Sequence, residues 1–418
     1  MGFAQGVSGL NSSAANLDVI GNNIANSGTI GFKSGSVQFA DVYAGSRVGM
    51  GTQVSGVAQN FTAGSVQSSG RALDVAITNG DGFFRLANDS GEMAYSRNGQ
   101  FNMDKEGFLV NAAGLKLTGY PVGVNGTIAG GGLTALQLPT KETAPNPTTK
   151  VNAQFNLDSR SVAPLDAFDA DNSETYNYSS AIKVYDSLGN AHEVSTFFTK
   201  EIAPAINKWN VYGTADGNPL ASTGAMAVAV APAKPVAGLL GQFSFDESGK
   251  LTVTPVTLSF AGLNFGNGSK DMGFTVDITG TTQFGNNNTV NKLNQDGYTS
   301  GVLTSYAIGQ NGTITGKYSN EQSKALGQIA LSSFLNPNGL QPKGDNVWAE
   351  TAASGQPLAG TPGSGTKLGA LTSGALEASN VDLTSELVNL IIAQRTYQAN
   401  SQTVKTQDQV MQTLINLR

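Results

Sequence analysis

Apolar residues at both ends of the chain recur at alternating intervals of four and three. Phe3, Val7, Leu10, Ala14, Leu17, Gly21 and Ile24 form the first stripe, with Ala14 and Gly21 as weak members. The spacing predicts a helix with a heptad-like apolar seam. Gly6, Gly9 and Gly21 lie inside it. Each costs a helix about 1 kcal/mol relative to alanine, so this helix needs a partner to form. Residues 25–28, Ala-Asn-Ser-Gly, end it. At the other end Leu383, Leu387, Leu390, Tyr397, Val404, Met411 and Ile415 make a second stripe, interrupted by Gln394, Ser401 and Asp408. Asp382 stands where an N-cap belongs, and Glu386 sits in the first turn, where the helix dipole favours an acid. Neither glycine nor proline occurs from Val381 to Arg418. The pattern predicts a helix of about 35 residues, roughly 52 Å long.

Between the ends the pattern changes to short runs of alternating polarity broken by Gly, Asn and Asp, the signature of strands and turns. Residues 181–198, AIKVYDSLGNAHEVSTFF, predict a hairpin turning near Leu188-Gly189-Asn190. In it Ile182 and Val184 share a face with His192, Val194, Thr196 and Phe198. The pattern of an apolar residue, Asp, two polar residues, Gly and an apolar residue occurs in MDKEGFL (103–109) and FDESGKL (245–251). With no fixed period, it reads as shared turn chemistry and not as a repeat. Linker-like stretches lie at 138–150, 285–301 and 354–369.

These readings give an α+β chain that is mainly β, with paired N- and C-terminal coiled-coil helices. Its β-rich outer domains are arranged inside-out on a discontinuous chain. The expected division is a helical domain of 1–28 plus 382–418 and a connecting segment of 29–70 plus 370–381. An inner β domain takes 71–148 plus 300–369, and an inserted outer β domain takes 149–299.

Composition narrows the function. With 418 residues the chain exceeds one ordinary core. Only 13% of residues are charged while 52 are glycine, so the surface is mostly neutral and polar. Hydrophobic residues at 39% and a net charge of −6 argue against disorder. No cluster of Lys and Arg marks a nucleic-acid surface. Cysteine is absent, which removes disulfides and thiolate metal sites. No apolar run is long enough for a membrane helix. The first basic residue is Lys33, so the start of the chain has no Sec-type signal.

Enzymatic readings find little support. His192 is the single histidine, placed on a strand near a turn. GTPGSGTK (360–367) approaches a phosphate loop, but Thr366 separates the last glycine from the lysine and no convincing helix follows. DADNSE (169–174) lacks the glycine and distal Glu of a calcium loop and reads as a turn. No catalytic residue, cofactor site or metal site is expected. The terminal stripes are the one organised long-range pattern. Periodicity alone fits core helices and intermolecular bundling equally. The length and narrow stripe of the second helix favour a bundle.

The stretch after the first helix has unusual spacing. Asn22, Asn23 and Asn26 offer side-chain caps, Gly28 and Gly31 allow backbone closed to other residues, Phe32 is an apolar anchor and Lys33 a charge. ANLDVIGNNIANSGTIGFKS (15–34) resembles the N-terminal signature of the flagellar rod and hook axial proteins, which reads Asn-Asn-hydrophobic-Ala-Asn and then Thr-x-Gly-Phe-Lys. Here these are Asn22, Asn23, Ile24, Ala25 and Asn26, then Thr29, Gly31, Phe32 and Lys33. Residues 374–418 resemble the family's C-terminal signature almost throughout. Within the family the chain is similar to hook subunits, in residues 71–86, 95–121, 183–198 and 316–351. Rod subunits are shorter and lack the large insertion. The resemblance is weakest over 200–290.

The resemblance implies a structural subunit that polymerises into the curved, flexible tube of the hook, a universal joint carrying torque from motor and rod to filament. It implies copies of itself as the main partner, joined by a hook cap protein, the distal rod protein, the hook–filament junction protein and the flagellar type III export apparatus. It implies an extracellular location in the flagellum, reached without a cleaved signal, and neither nucleic acid nor membrane insertion. The alternatives are a distal rod subunit of the basal body, a secreted β-rich surface protein, and a polysaccharide-acting enzyme with paired carboxylates in a cleft.

Overall fold

Both terminal stripes fold as helices in the computed structural model, which describes residues 2–42, 49–123, 126–128, 130–139, 141–202, 207–227, 237–252, 256–363 and 367–416. Helix α1 spans Gly2–Ala25 and helix α2 spans Leu383–Asn416. They pack against each other. Glycine sets the approach: a Cβ on Gly6 would lie 2.8 Å from Val404 Cγ2, and one on Gly9 2.8 Å from the Asn400 side chain. The stripe's weak helix formers are thus what let the helices close. Asp382 caps α2, its carboxylate accepting from Thr384 N at 2.9 Å and Ser385 N at 3.2 Å. Along α2 the hydroxyls of Thr396, Thr403, Thr406 and Thr413 each donate to the carbonyl four residues back.

The chain divides into two compact units. The first comprises Met1–Thr140, Leu303–Lys317 and Gln322–Arg418. In it an antiparallel hairpin, β1 (Gly35–Asp41) and β2 (Thr52–Gln59), lies against α1. Next come β3 (Val66–Ser68) and β4 (Val75–Thr78). They pair with chain from the far end: β3 with Ala375–Glu377 and β4 with Ala370–Ser373. The main sheet is built on β5 (Phe83–Ala87) and β6 (Met93–Ser96), with Lys116–Pro121, Ser323–Ile329 and Val347–Ala349 among its strands. Its core holds Val75, Ile77, Phe84, Leu86, Phe101, Leu117, Ile329 and Leu331. A second cluster, of Phe83, Tyr95, Phe334, Leu340 and Trp348, packs by edge-on ring contacts such as Tyr95–Phe334 at 4.7 Å.

The second unit comprises Lys141–Val302 and Tyr318–Glu321. Two five-stranded sheets share one core. One is centred on Lys150–Asp158 and the other on Ala191–Lys200 and Lys208–Ala215. Alternating burial along Lys150–Asp158 and Ala191–Lys200 sends Val151, Ala153, Phe155, Val194 and Phe198 inward. Trp209 is fully buried and donates to Gln283 Oε1 at 2.9 Å. The predicted hairpin is present: Tyr178–Tyr185 pairs with Ala191–Lys200, with Ile182 opposite Val194 and Val184 opposite His192.

Candidate functional site

The helix pair shows how the stripes are used. Val7, Leu10, Ala14, Leu17 and Ile24 of α1 are half-buried, whereas Phe3 is 53% exposed. On α2 the side turned to α1 carries Leu390, Ala393, Asn400 and Val404. Leu383, Leu387, Tyr397, Met411 and Ile415 remain exposed, as do Val388, Ile391, Ile392 and Val410 outside the stripe. Pairing with α1 therefore consumes a narrow, partly polar line and leaves most of the large apolar residues of α2 uncovered. Asn400 lies on that line, its amide 3.5 Å from the Ser13 hydroxyl.

The segment after α1 is a built junction. Asn23 is buried and brackets the start of β1, accepting from Gly35 N at 2.9 Å and donating to Gly35 O at 2.8 Å. Asn26 donates to Asn22 O at 3.0 Å and accepts from the Thr29 hydroxyl at 3.1 Å, closing the helix end. Gly31 adopts φ +70, and a Cβ there would lie 2.7 Å from Asn98 N. Both facts demand glycine. Phe32 is half-buried.

Lys33 is not a surface charge: it is 2% exposed. Its Nζ donates to Glu377 Oε1 at 2.6 Å and to Thr62 O at 2.7 Å. Glu377 also accepts from Gly64 N at 2.9 Å and from Arg97 at 3.4 Å, and its backbone carbonyl accepts from Gly31 N at 2.8 Å. Burial pushes the Lys33 and Arg97 pKa values down, while the Glu377 charge pulls both back up. This cluster joins the exit of α1, the β body and the strand that leads into α2. Sequence reasoning missed Glu377 and Arg97. The available signal was a lone carboxylate closing the apolar run Ala375-Leu376-Glu377.

The readings set aside as chemistry behave as turns and strands. His192 lies between Asp216 Oδ2 at 2.7 Å and Asp186 Oδ2 at 3.3 Å and stacks on Phe265. Asn172 caps the short turn Ser173–Thr175 by accepting from Glu174 N. Of the loop at 360–367, residues 364–366 lie outside the described residues. Among the described residues no group of three or more His, Cys, Asp or Glu is arranged to hold a metal ion, and no helix is long and apolar enough to cross a membrane.

Comparison with known proteins covers both ends and the middle. Residues 5–33 match the family of flagella basal body rod proteins, and residues 372–417 the flagellar basal body rod FlgEFG protein C-terminal family. Residues 76–155 match the flagellar hook protein FlgE/F/G D1 domain and 156–298 the flagellar basal body protein FlaE D2 domain. The flagellar hook protein FlgE of Salmonella typhimurium is 47% identical over 423 residues, covering 100% of both chains. That of Escherichia coli is 46% identical at the same coverage. That of Borreliella burgdorferi is 32% identical over 99% of this chain and 98% of its own. The crystal structure of Helicobacter pylori flagellar hook protein FlgE2 shares the fold, with a TM-score of 0.53 at 15% identity, over 75% of this chain and 100% of that one. With paired terminal helices, a mainly β chain between them and this similarity from end to end, the chain belongs to the flagellar hook protein family.

Proposed function

We propose that copies of this chain assemble, through their terminal helices, into the curved tube of the bacterial flagellar hook, and that the tube serves as a universal joint between rod and filament. The observation that carries this is the uncovered apolar surface of α2. Leu383, Leu387, Val388, Ile391, Ile392, Val410, Met411 and Ile415 are 45–69% exposed on a helix whose inner line α1 already occupies. Apolar surface gathered on one element in this way is partner surface. Identical subunits related by an operation that does not close produce an open helical filament. Weakly charged, neutral outer surfaces suit contacts that slide as the tube bends while rotating.

In this reading the chain has no catalytic role. It leaves the cell through the type III export apparatus. It is added beneath a cap protein, and its end neighbours are the distal rod protein and the hook–filament junction protein. The test is electron microscopy of the purified full-length chain beside a variant lacking residues 1–28 and 382–418. Curved tubes from the full chain alone are the expected result. Tubes from the shortened variant would overturn the assignment of assembly to the terminal helices.

A further inference from the structure

A cleft of about 570 Å³ lies between α1, the β1–β2 hairpin and the first half of α2. Its polar lining is neutral, with Ser12, Ser13, Asn16, Asn389 and Asn400 among it, except for Glu386. The Oε2 atom of Glu386 is buried and has no hydrogen-bond partner. A carboxylate oxygen withdrawn from water without a donor is costly, and the nearby N-terminus of α2 offsets only part of that cost. The site calls for a cation.

The helices offer few. Helix α1 has no Lys or Arg, and the described cations of α2 are Arg395 and Lys405, neither of which pairs with any described residue. Arg395 is nine residues beyond Glu386. At 100° and 1.5 Å per residue this puts it on the opposite face of α2, about 14 Å along the axis, where it cannot reach Glu386 of its own chain. Lys405 lies past the end of the cleft, which stops at Asn400.

An acceptor on one face and its complement on the opposite face is the arrangement that head-to-tail addition requires. We propose that the cleft receives α2 of a second copy, the guanidinium of that copy's Arg395 pairing with Glu386. The planar fork of arginine suits a carboxylate better than an ammonium does. Ile391, exposed one turn before Arg395, supplies apolar contact for the cleft wall at Phe39 and Ile392, themselves 48% and 57% exposed. This inference rests on the reading that copies polymerise, and it specifies which residues set their register.

The experiment uses full-length E386R and R395E, alone, mixed in equal amounts, and combined in one chain, scored by sedimentation and electron microscopy against the parent. Each single variant places like charges together and is expected to lower the polymer yield about tenfold or more. The mixture restores opposite charges between unlike copies and is expected to recover assembly, as is E386R/R395E. Recovery by mixing also demonstrates that the single variants fold. Single variants that assemble like the parent, or a mixture that recovers nothing, would overturn the pairing. A parent chain that forms no polymer would instead overturn the proposed function, and the pairing with it.

Discussion

Glu377→Gln removes the carboxylate that Lys33 and Arg97 share. Lys33 and Glu377 side chains are 0% and 1% exposed and that of Arg97 is 2% exposed, so water cannot replace the lost charge. Breaking a buried pair from one side costs about 3–5 kcal/mol, because the remaining charge stays buried and unpaired. The glutamine amide still offers an acceptor to Lys33 or to Gly64 N, which places the expected cost near the lower end, about 3 kcal/mol. For a unit of this size that is a fall in Tm of about 6–12 °C. The two tryptophans separate the units: Trp348 belongs to the first and Trp209 to the second. Thermal melts of E377Q followed by Trp348 fluorescence in a W209F background isolate the affected transition. The pH dependence has a definite sign. The folded pKa of Lys33 lies below its free value of 10.5 because of burial. The native state therefore binds fewer protons than the unfolded chain in that window, and stability from this group rises with pH towards 10.5. Without Glu377 the depression deepens, so the E377Q deficit should shrink as pH rises above neutrality. A loss under about 1 kcal/mol, or a deficit that grows with pH, would refute the account.

Two further outcomes are expected. Gly21→Ala, where a Cβ meets nothing within 4 Å, should stabilise α1 by about 0.5–1 kcal/mol, whereas Gly9→Ala should lower stability by displacing Asn400; helix ellipticity on heating compares the two. Asp186 is buried, which by itself raises its pKa, yet donors from Asn190, Asn267 and His192 hold it well below 3.8. Its contribution is therefore present above pH 3.8 and is lost as pH falls through the folded value, so Asp186→Asn should flatten the acid limb of the second unit below pH 3.8, read by Trp209 fluorescence.

Local chemistry was the part most legible in the sequence. The terminal helices, the Asp382 cap and the 181–198 hairpin are read from near neighbours, and the structure contains all three. The turn shared by MDKEGFL and FDESGKL has a local cause too. Asp104 accepts from Glu106 N and Phe108 N, Asp246 from Ser248 N and Lys250 N, and Gly107 and Gly249 both adopt positive φ. What the sequence did not disclose depends on residues far apart in the chain. Lys33 read only as a charge because its partner lies 344 positions away. The line of α2 used by α1 was obscured because it runs through Ala393 and Asn400, neither of which stands out in an apolar count. The exposure of Leu383, Leu387 and Ile415 follows from that same offset.

The first unit is closed by its two ends. Strands β3 and β4 find their described pairing partners in residues 370–377, and α1, which also carries the β1–β2 hairpin, finds its helical partner in α2. The second unit, by contrast, closes almost entirely from the continuous segment Lys141–Val302. Pairings across several hundred residues bear the largest loop-closure entropy and form slowly. Whichever end of the chain takes shape first therefore waits, with open strand edges and a helix lacking its helical partner, until the other end pairs with it. Presence of both ends becomes the condition for a finished first unit, and a chain lacking either one is left with open strand edges by its own topology.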